Sequence, residues 1–441
     1  MTTRIGSTGP RPTARTRRGA RTRGAVAGLV ACASVLSGCG FVNTGGEEQP
    51  EGKLTAYVNT EVNAGLKSFF AAYEKSSGVT VDASAAATDE LNRQLRVQLT
   101  SGTAADVIRV SPGYSSPVAV GTLGTDGELA DVSAEPWTKS LPSDARPLAD
   151  VNGKTMAFPV SRNAIVMAYN KKAFAKAKVD VPTTWPEFLA ANHRLRKAGM
   201  TPIAAPLQGG VYLQFWMYAL AATLVYADNP DIDEQLKAGK TNLVDDEGWR
   251  EVFAKFLELR DAGYFSEGAL GVPPEQGMQS VATGESAMIL MVSAGLPQLH
   301  GYAEGGADDI GVFALPATDD ADETFVPIAP EFLAVNAASK NADNAKAFLR
   351  FLARKDNVAK YANTNGVLPG LDVGAKLEST TLDPIMPLLE KRRTAPFANY
   401  LWPNGSTQQT LLQSGQDLYD KKLTTRQLLT QLDAEYDKGT P

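Results

Sequence analysis

LTAYVN at Leu54–Asn59 and DVIRV at Asp106–Val110 are short apolar runs that frame a regular alternation of patterns. Between them, Val62–Ser76 places Leu66, Phe69, Phe70 and Tyr73 at helical spacing, Gly78 supplies a helix stop, and Val79–Ala83 is a second extended run. Thr88–Ser101 is helical again, with Leu91, Leu95 and Leu99 on one face. This order predicts a βαβαβ unit, and so an α/β fold whose parallel strands are covered by helices. In open sheets of that kind ligands collect beyond the carboxyl ends of the strands, which makes Asn59-Thr60-Glu61 and Ser111-Pro112-Gly113-Tyr114 the first candidates for contact. Ordinary strand-to-helix turns would carry the same residues, so the inference rests on position more than on residue type.

Upstream of this unit the sequence changes character. Residues 1–38 hold seven arginines (Arg4, Arg11, Arg15, Arg17, Arg18, Arg21 and Arg23) and no Lys, Asp or Glu. An apolar stretch, Ala25–Val35, and then Leu36-Ser37-Gly38-Cys39 complete the order of a secretory signal. The stretch is too short to span a membrane. Leu36-Ser37-Gly38-Cys39 resembles the lipobox of bacterial lipoproteins. That resemblance implies cleavage before Cys39, a lipid on its thiol, and a mature protein held at the outer face of the cytoplasmic membrane. Arg17-Arg18 raises the twin-arginine export route, but Gly19-Ala20-Arg21 stands where an apolar pair would follow, and the route stays open. Gly40–Gly52 is small and polar without a period and reads as a flexible tether between lipid and body.

The 441 residues carry 43 basic and 49 acidic side chains, and loss of the seven head arginines leaves a 403-residue body with a formal charge of −13. An acidic body argues against nucleic acid or anionic lipid as the main partner, since phosphate contacts need clustered Lys and Arg. With Cys32 removed in the signal and Cys39 lipidated, the folded body has no thiol and no disulfide, which suits an oxidising exterior. His193 and His300 are the two histidines; they exclude a multi-histidine metal site and oblige any His-based triad to use one of them.

Downstream, further segments fall in a recognisable order: VNGKTMAFPVSRNAIVMAYNKKAF from Val151, PTTWPEFLAA from Pro182, GESAMILM from Gly284, DIGVFALP from Asp309, FLAVNAASKNADNAKAFLRFL from Phe332, and TNGVLPG from Thr364. Together with the βαβαβ unit they resemble the extracellular solute-binding proteins that feed ABC importers, in the branch that includes maltose-binding protein. The resemblance implies two α/β lobes, each a mainly parallel sheet flanked by helices, joined by a multi-segment hinge and closing on a solute. It places the crossings near Phe158–Arg162, Phe325–Pro330 and Leu368–Gly370. The expected division is a signal peptide at 1–38, a lipidated Cys and tether at 39–52, lobe one at 53–159 plus 326–369, and lobe two at 160–325 plus 370–441. Pro159, Pro327, Pro330 and Pro369 interrupt periodic sequence at these points.

A sugar or other polyol needs flat aromatic faces and convergent planar polar groups. The resemblance puts Arg162 and Asn163 after the first crossing, and Arg162 offers a five-donor fork that would also suit an anionic solute; its alternative is a salt bridge across the hinge. Val211–Ala227 is the most apolar part of the body and reads as a buried helix; its entrance presents Tyr212, Gln214 and Trp216, with core packing the alternative for Trp216. At Ser293-Ala294-Gly295-Leu296 the branch's usual Trp is missing, which weakens the case for an oligosaccharide. If Ser293–Gly295 open a helix, their N–H groups would suit an oxyanion. Phe332 follows the second crossing, and Trp402, in YLWPNGS, falls where the family often stacks an aromatic on its ligand, with plain packing as the alternative.

Enzyme signatures do not assemble. Met291-Val292-Ser293-Ala294-Gly295 lacks the first Gly of a nucleophile elbow. Gly239-Lys240-Thr241 and Gly153-Lys154-Thr155 have Glu234 and Leu148 in place of the leading Gly of a phosphate loop. The acidic runs Asp228–Glu234 and Asp319–Glu323 lack calcium-loop spacing. The expected protein is therefore a non-catalytic receptor: a monomer without cofactor or metal that binds a small polar solute, a sugar or sugar derivative, and hands it to ABC permease subunits. The alternative is a lipid-anchored solute sensor or scaffold with the same fold.

Overall fold

The computed structural model describes residues 52–439, apart from 115 and 379. Cys39 and the signal lie outside the described residues. The βαβαβ unit forms as β1 (Lys53–Asn59), helix α1 (Thr60–Ser77), β2 (Thr80–Ala86), helix α2 (Thr88–Ser101) and β3 (Val107–Val110). Helix α1 buries Val62, Leu66, Phe69, Phe70 and Tyr73, the stripe that its 3.6-residue period predicts. It stops at Gly78, whose left-handed φ of 74° lets its N–H reach the Glu74 carbonyl. β1 pairs in parallel with both β2 and β3.

A short hairpin, β4 (Asp150–Val151) and β5 (Lys154–Thr155), precedes the longest strand, β6 (Ala157–Asn170). Strands β7 (Thr201–Ala204), β8 (Ser286–Val292) and β9 (Ile310–Phe313) follow, then β10 (Val326–Val335) and the short β11 (Leu368–Pro369) and β12 (Thr394–Pro396). The main sheet runs β2-β1-β3-β10-β6-β8-β7, with β11 and β9 on β6 and β12 on β10. Parallel pairing holds at β2-β1-β3 and at β7-β8, while β10 is antiparallel to both β3 and β6.

β6 and β10 are the strands that connect the two halves. Phe158 and Val160 pack in one core with Leu54, Phe69, Leu333 and Phe348, whereas Ile165 and Met167 pack in another with Phe188, Trp216, Phe253 and Trp402. On β10 the change of core falls between Ala329 and Phe332, where the register with β6 shifts between Glu331 and Phe332. That is several residues past the boundary expected at 325/326. Leu371 also stays with the first core. A two-residue offset along a strand keeps the facing side, so hydrophobic pattern alone does not locate where one core ends.

Among the described residues no helix is long and apolar enough to cross a membrane. Val211–Ala221 is an α-helix continued by one π-turn, Ala222–Tyr226, and it is buried along most of its length.

Candidate functional site

The amino ends of α1 and α2, the crossing strands β6 and β10, and the helix Val211–Ala221 converge on a cavity of about 420 Å³. Two other concavities reach about 510 Å³, one around Lys355 and Lys360, the other around Tyr114 and Lys237. The smaller cavity is distinguished by position: it lies at the carboxyl ends of β1 and β3, where the strand order passes from parallel to antiparallel.

Arg109 and Glu331 line this cavity from adjacent strands. Arg109 Nε donates to Glu331 Oε1 at 2.5 Å, its Nη2 to Oε2 at 3.5 Å, and its Nη1 to Ser111 Oγ at 3.0 Å. Burial works against the guanidinium charge, but Glu331 outweighs it and the Arg109 pKa is raised. Asn59 is 6 % exposed, and its Oδ1 has no hydrogen-bond partner. Glu61, in the first turn of α1, is exposed at the same cavity and makes no ion pair among the described residues.

The opposite wall is amide and aromatic. Gln214 Oε1 accepts from Tyr218 Oη at 3.1 Å and from Gln408 Nε2 at 2.9 Å. Phe397 stacks on Tyr400 with centroids 5.6 Å apart and planes 6° from parallel, and lies 5.7 Å from Tyr218. All three rings line the cavity. Burial raises the Tyr400 pKa; Arg109 opposes this and Glu331 adds to it. Tyr218 is likewise raised, first by burial. These hydroxyls stay protonated and serve as hydrogen-bond donors.

Tyr400 also ties the two halves together. The Tyr114 N–H donates to the Tyr400 carbonyl at 3.3 Å, and a Cβ on Gly113, whose φ is +64°, would fall 1.7 Å from that oxygen. Glycine is required there on both counts.

Of the residues singled out in the sequence, Asn59, Glu61, Asn163 and Gln214 meet at this cavity. The others stand elsewhere. Thr60 is exposed at the start of α1. Tyr114 lies beneath Lys237 Nζ, 5.7 Å from its ring centroid, in the neighbouring concavity. Arg162 is spent on structure: Nε donates to the Pro369 carbonyl at 2.8 Å, Nη1 to Asp144 at 3.1 and 3.2 Å, and Nη2 to Asp372 at 3.3 Å. Tyr212 packs on Phe215, and its hydroxyl pKa is pushed up to about 12 by burial and by Glu275.

Trp216 is 1 % exposed against Phe256 and Phe265, and Phe332 is fully buried. Ser293 is also fully buried, its Oγ accepting from the Ala164 N–H at 3.0 Å. The helix after it, Leu296–Tyr302, has only seven residues. Trp402 is fully buried behind the aromatic wall, 6.2 Å from Tyr218 and 6.3 Å from Trp249.

The physical reason is alternation. Asn163 and Arg162 are neighbours on β6 and so face opposite sides of the sheet, as do Glu331 and Phe332 on β10. Gln214 and Trp216 are about 200° apart on a helix. Arg109, Phe215, Tyr218, Phe397, Tyr400 and Gln408 were not legible as site residues. A signal existed for Arg109, since a charge inside the otherwise apolar strand VIRV, Val107–Val110, demands a partner.

A cavity between two packed cores, walled by side chains of both and crossed by two long strands, defines a two-lobed binding protein. The chain belongs to the family of bacterial extracellular solute-binding proteins, whose model matches residues 58–359. It is 22 % identical over 343 residues to the multiple sugar-binding protein of Streptococcus mutans, covering 77 % of this chain and 80 % of that one. A chitin oligosaccharide binding protein superposes with a TM-score of 0.73 at 20 % identity, over 88 % of this chain and 98 % of that structure. A solute-binding protein solved with raffinose superposes with a TM-score of 0.72 at 18 % identity, over 88 % and 99 %.

Proposed function

We propose that the protein captures a saccharide in this cavity and delivers it, unaltered, to an ABC permease in the membrane. The observation that carries the reading is the composition of the walls. Aromatic faces at Phe397 and Tyr400 suit the C–H faces of a sugar ring, while Asn59, Asn163 and Gln214 are planar polar groups suited to its hydroxyls. A cavity of about 420 Å³ lies in the range of small-molecule sites. Asn59 and Glu61 come from one side of the crossing strands and Gln214 and Gln408 from the other, so a solute touching both favours the closed arrangement through its differential affinity for that state. The working protein is a monomer, with lobes divided at the β6, β10 and β11 crossings and a lipid on Cys39 holding it at the outer membrane face.

A thermal-shift screen of mono- and disaccharides tests the reading, because a ligand at 100 times its Kd stabilises the folded state by about 2.7 kcal/mol. A saccharide that raises the melting temperature of the natural protein, and does so less for Gln214→Ala, is the expected result. No shift from any saccharide at millimolar concentration overturns it. For the anchor, Cys39→Ala releases the protein from membranes into the medium; unchanged membrane retention refutes the lipid.

A further inference from the structure

We propose that the cavity selects by charge, taking saccharides that carry a protonated amine in preference to neutral ones and rejecting anionic ones, with Glu61 as the selecting residue. This rests on the saccharide reading above and adds the chemical class.

The charged side chains lining the cavity are Glu61, Arg109 and Glu331. Arg109 is the single cation among them, and three of its five N–H donors are engaged: Nε and Nη2 with Glu331, Nη1 with Ser111. An anionic solute that took Arg109 would lie against the Glu331 carboxylate or strand it without a partner, which disfavours carboxylates and phosphates there. One guanidinium between two carboxylates leaves the lining net negative, and Glu61 is the carboxylate that makes no ion pair among the described residues.

The hydrogen-bonding capacity left over has the same sense. Asn59 Oδ1 is buried and waits for a donor. Gln214 Oε1 already accepts twice, and the amide N–H groups of Gln214 and Asn163 and the Tyr400 hydroxyl are the neutral donors beside it. Hydroxyls and ammonium groups can donate to Asn59 and Glu61; a carboxylate or phosphate dianion cannot. The helix ends oppose this, since the amino termini of α1 and α2 present about half a positive charge each. Glu61 sits within the first turn of α1 and answers that end with a full negative charge.

The test compares matched triplets on the natural protein by titration calorimetry at pH 6.5: a neutral hexose, its 2-amino derivative and its uronic acid, in gluco and galacto series. The amino sugar binds about tenfold more tightly than the neutral one, the uronate at least tenfold more weakly, and the amino advantage shrinks in high salt, as for one charge contact near a surface. Glu61→Gln, an exposed position whose exchange leaves the fold intact, makes the amino and neutral sugars equal and brings the uronate within about threefold of them. Equal affinities for the natural protein, or an amino preference that survives Glu61→Gln, overturn the inference while the saccharide reading stands. Absence of binding by every sugar overturns both.

Discussion

Arg109 and Arg162 lie on β3 and β6, the two strands that flank β10, and both are buried and ion-paired, yet they serve opposite sides of the sheet. Arg162 faces away from the cavity and fastens two segments to β6 at the crossing, one through Asp144 and the other through Pro369 and Asp372. Its partner Asp144 has only 5 % of its side chain exposed. Arg109 faces the cavity and holds one charged partner, Glu331, whose remaining surface is open to a solute, besides the Ser111 hydroxyl. A buried arginine is therefore no sign of a ligand by itself. What separates a binding group from a fastener is the face on which the pleat puts it and whether its partners themselves line the cavity.

The largest test of that difference is Arg162→Ala. Breaking a buried pair by removing one partner costs about 3–5 kcal/mol, because Asp144 keeps its burial and loses its counter-charge. The melting temperature should fall steeply while the fraction that remains folded binds saccharide with little change. Weakened binding at an unaltered melting temperature would invert the comparison.

Asp233 sharpens it as a buried charge with no such pairing. It is 5 % exposed, makes no ion pair among the described residues, and burial pushes its pKa up to about 6 against the opposing pull of the Tyr226 hydroxyl and Lys237. A carboxyl whose folded pKa lies above its unfolded value favours folding while protonated, so its contribution is complete below about pH 4 and is lost as pH rises through about 6. Two units amount to about 3 kcal/mol. Urea unfolding of Asp233→Asn between pH 4 and 7 should lack a fall in stability that the natural protein shows; parallel profiles would remove the buried charge from the account.

For Arg109→Met the loss should appear in binding first. Glu331 is left unpaired at the cavity, and saccharide affinity drops by about 2 kcal/mol, or roughly thirtyfold, read by calorimetry. A variant that binds normally would reassign Arg109 to the same fastening role as Arg162. The smallest effect is expected at Gly113→Ala, about 1–2 kcal/mol in ligand affinity, since a Cβ there pushes against the Tyr400 carbonyl and holds the halves apart. Small-angle scattering should show a larger radius of gyration with ligand than for the natural protein; identical curves would mean that the contact does not gate closure.

Much of the scaffold was legible because it follows from period. The α1 stripe, the two flanking strands and the apolar helix at Val211 are set by spacing alone. The site was half legible for the same reason. Strand ends pointed to Asn59 and Glu61, but nothing in the order of residues tells which of Arg162 and Asn163, or of Glu331 and Phe332, faces inward. The aromatic expectation shows the limit. Trp402 was the conspicuous residue late in the chain, and the rings that reach the cavity are Phe397 and Tyr400, with Trp402 as the layer behind them.

The sequence by itself determined the α/β alternation, the acidic body without cysteine chemistry and the strand ends at which a solute would collect, since these depend on local period, composition and chain direction. The tertiary structure decided the rest: where β10 leaves one core for the other, which arginine is spent on the hinge, and which charge is left open to a solute. Those outcomes depend on facing and on partners more than 200 residues away, as for Arg109 with Glu331 and Arg162 with Pro369, and no local pattern encodes a partner at that distance.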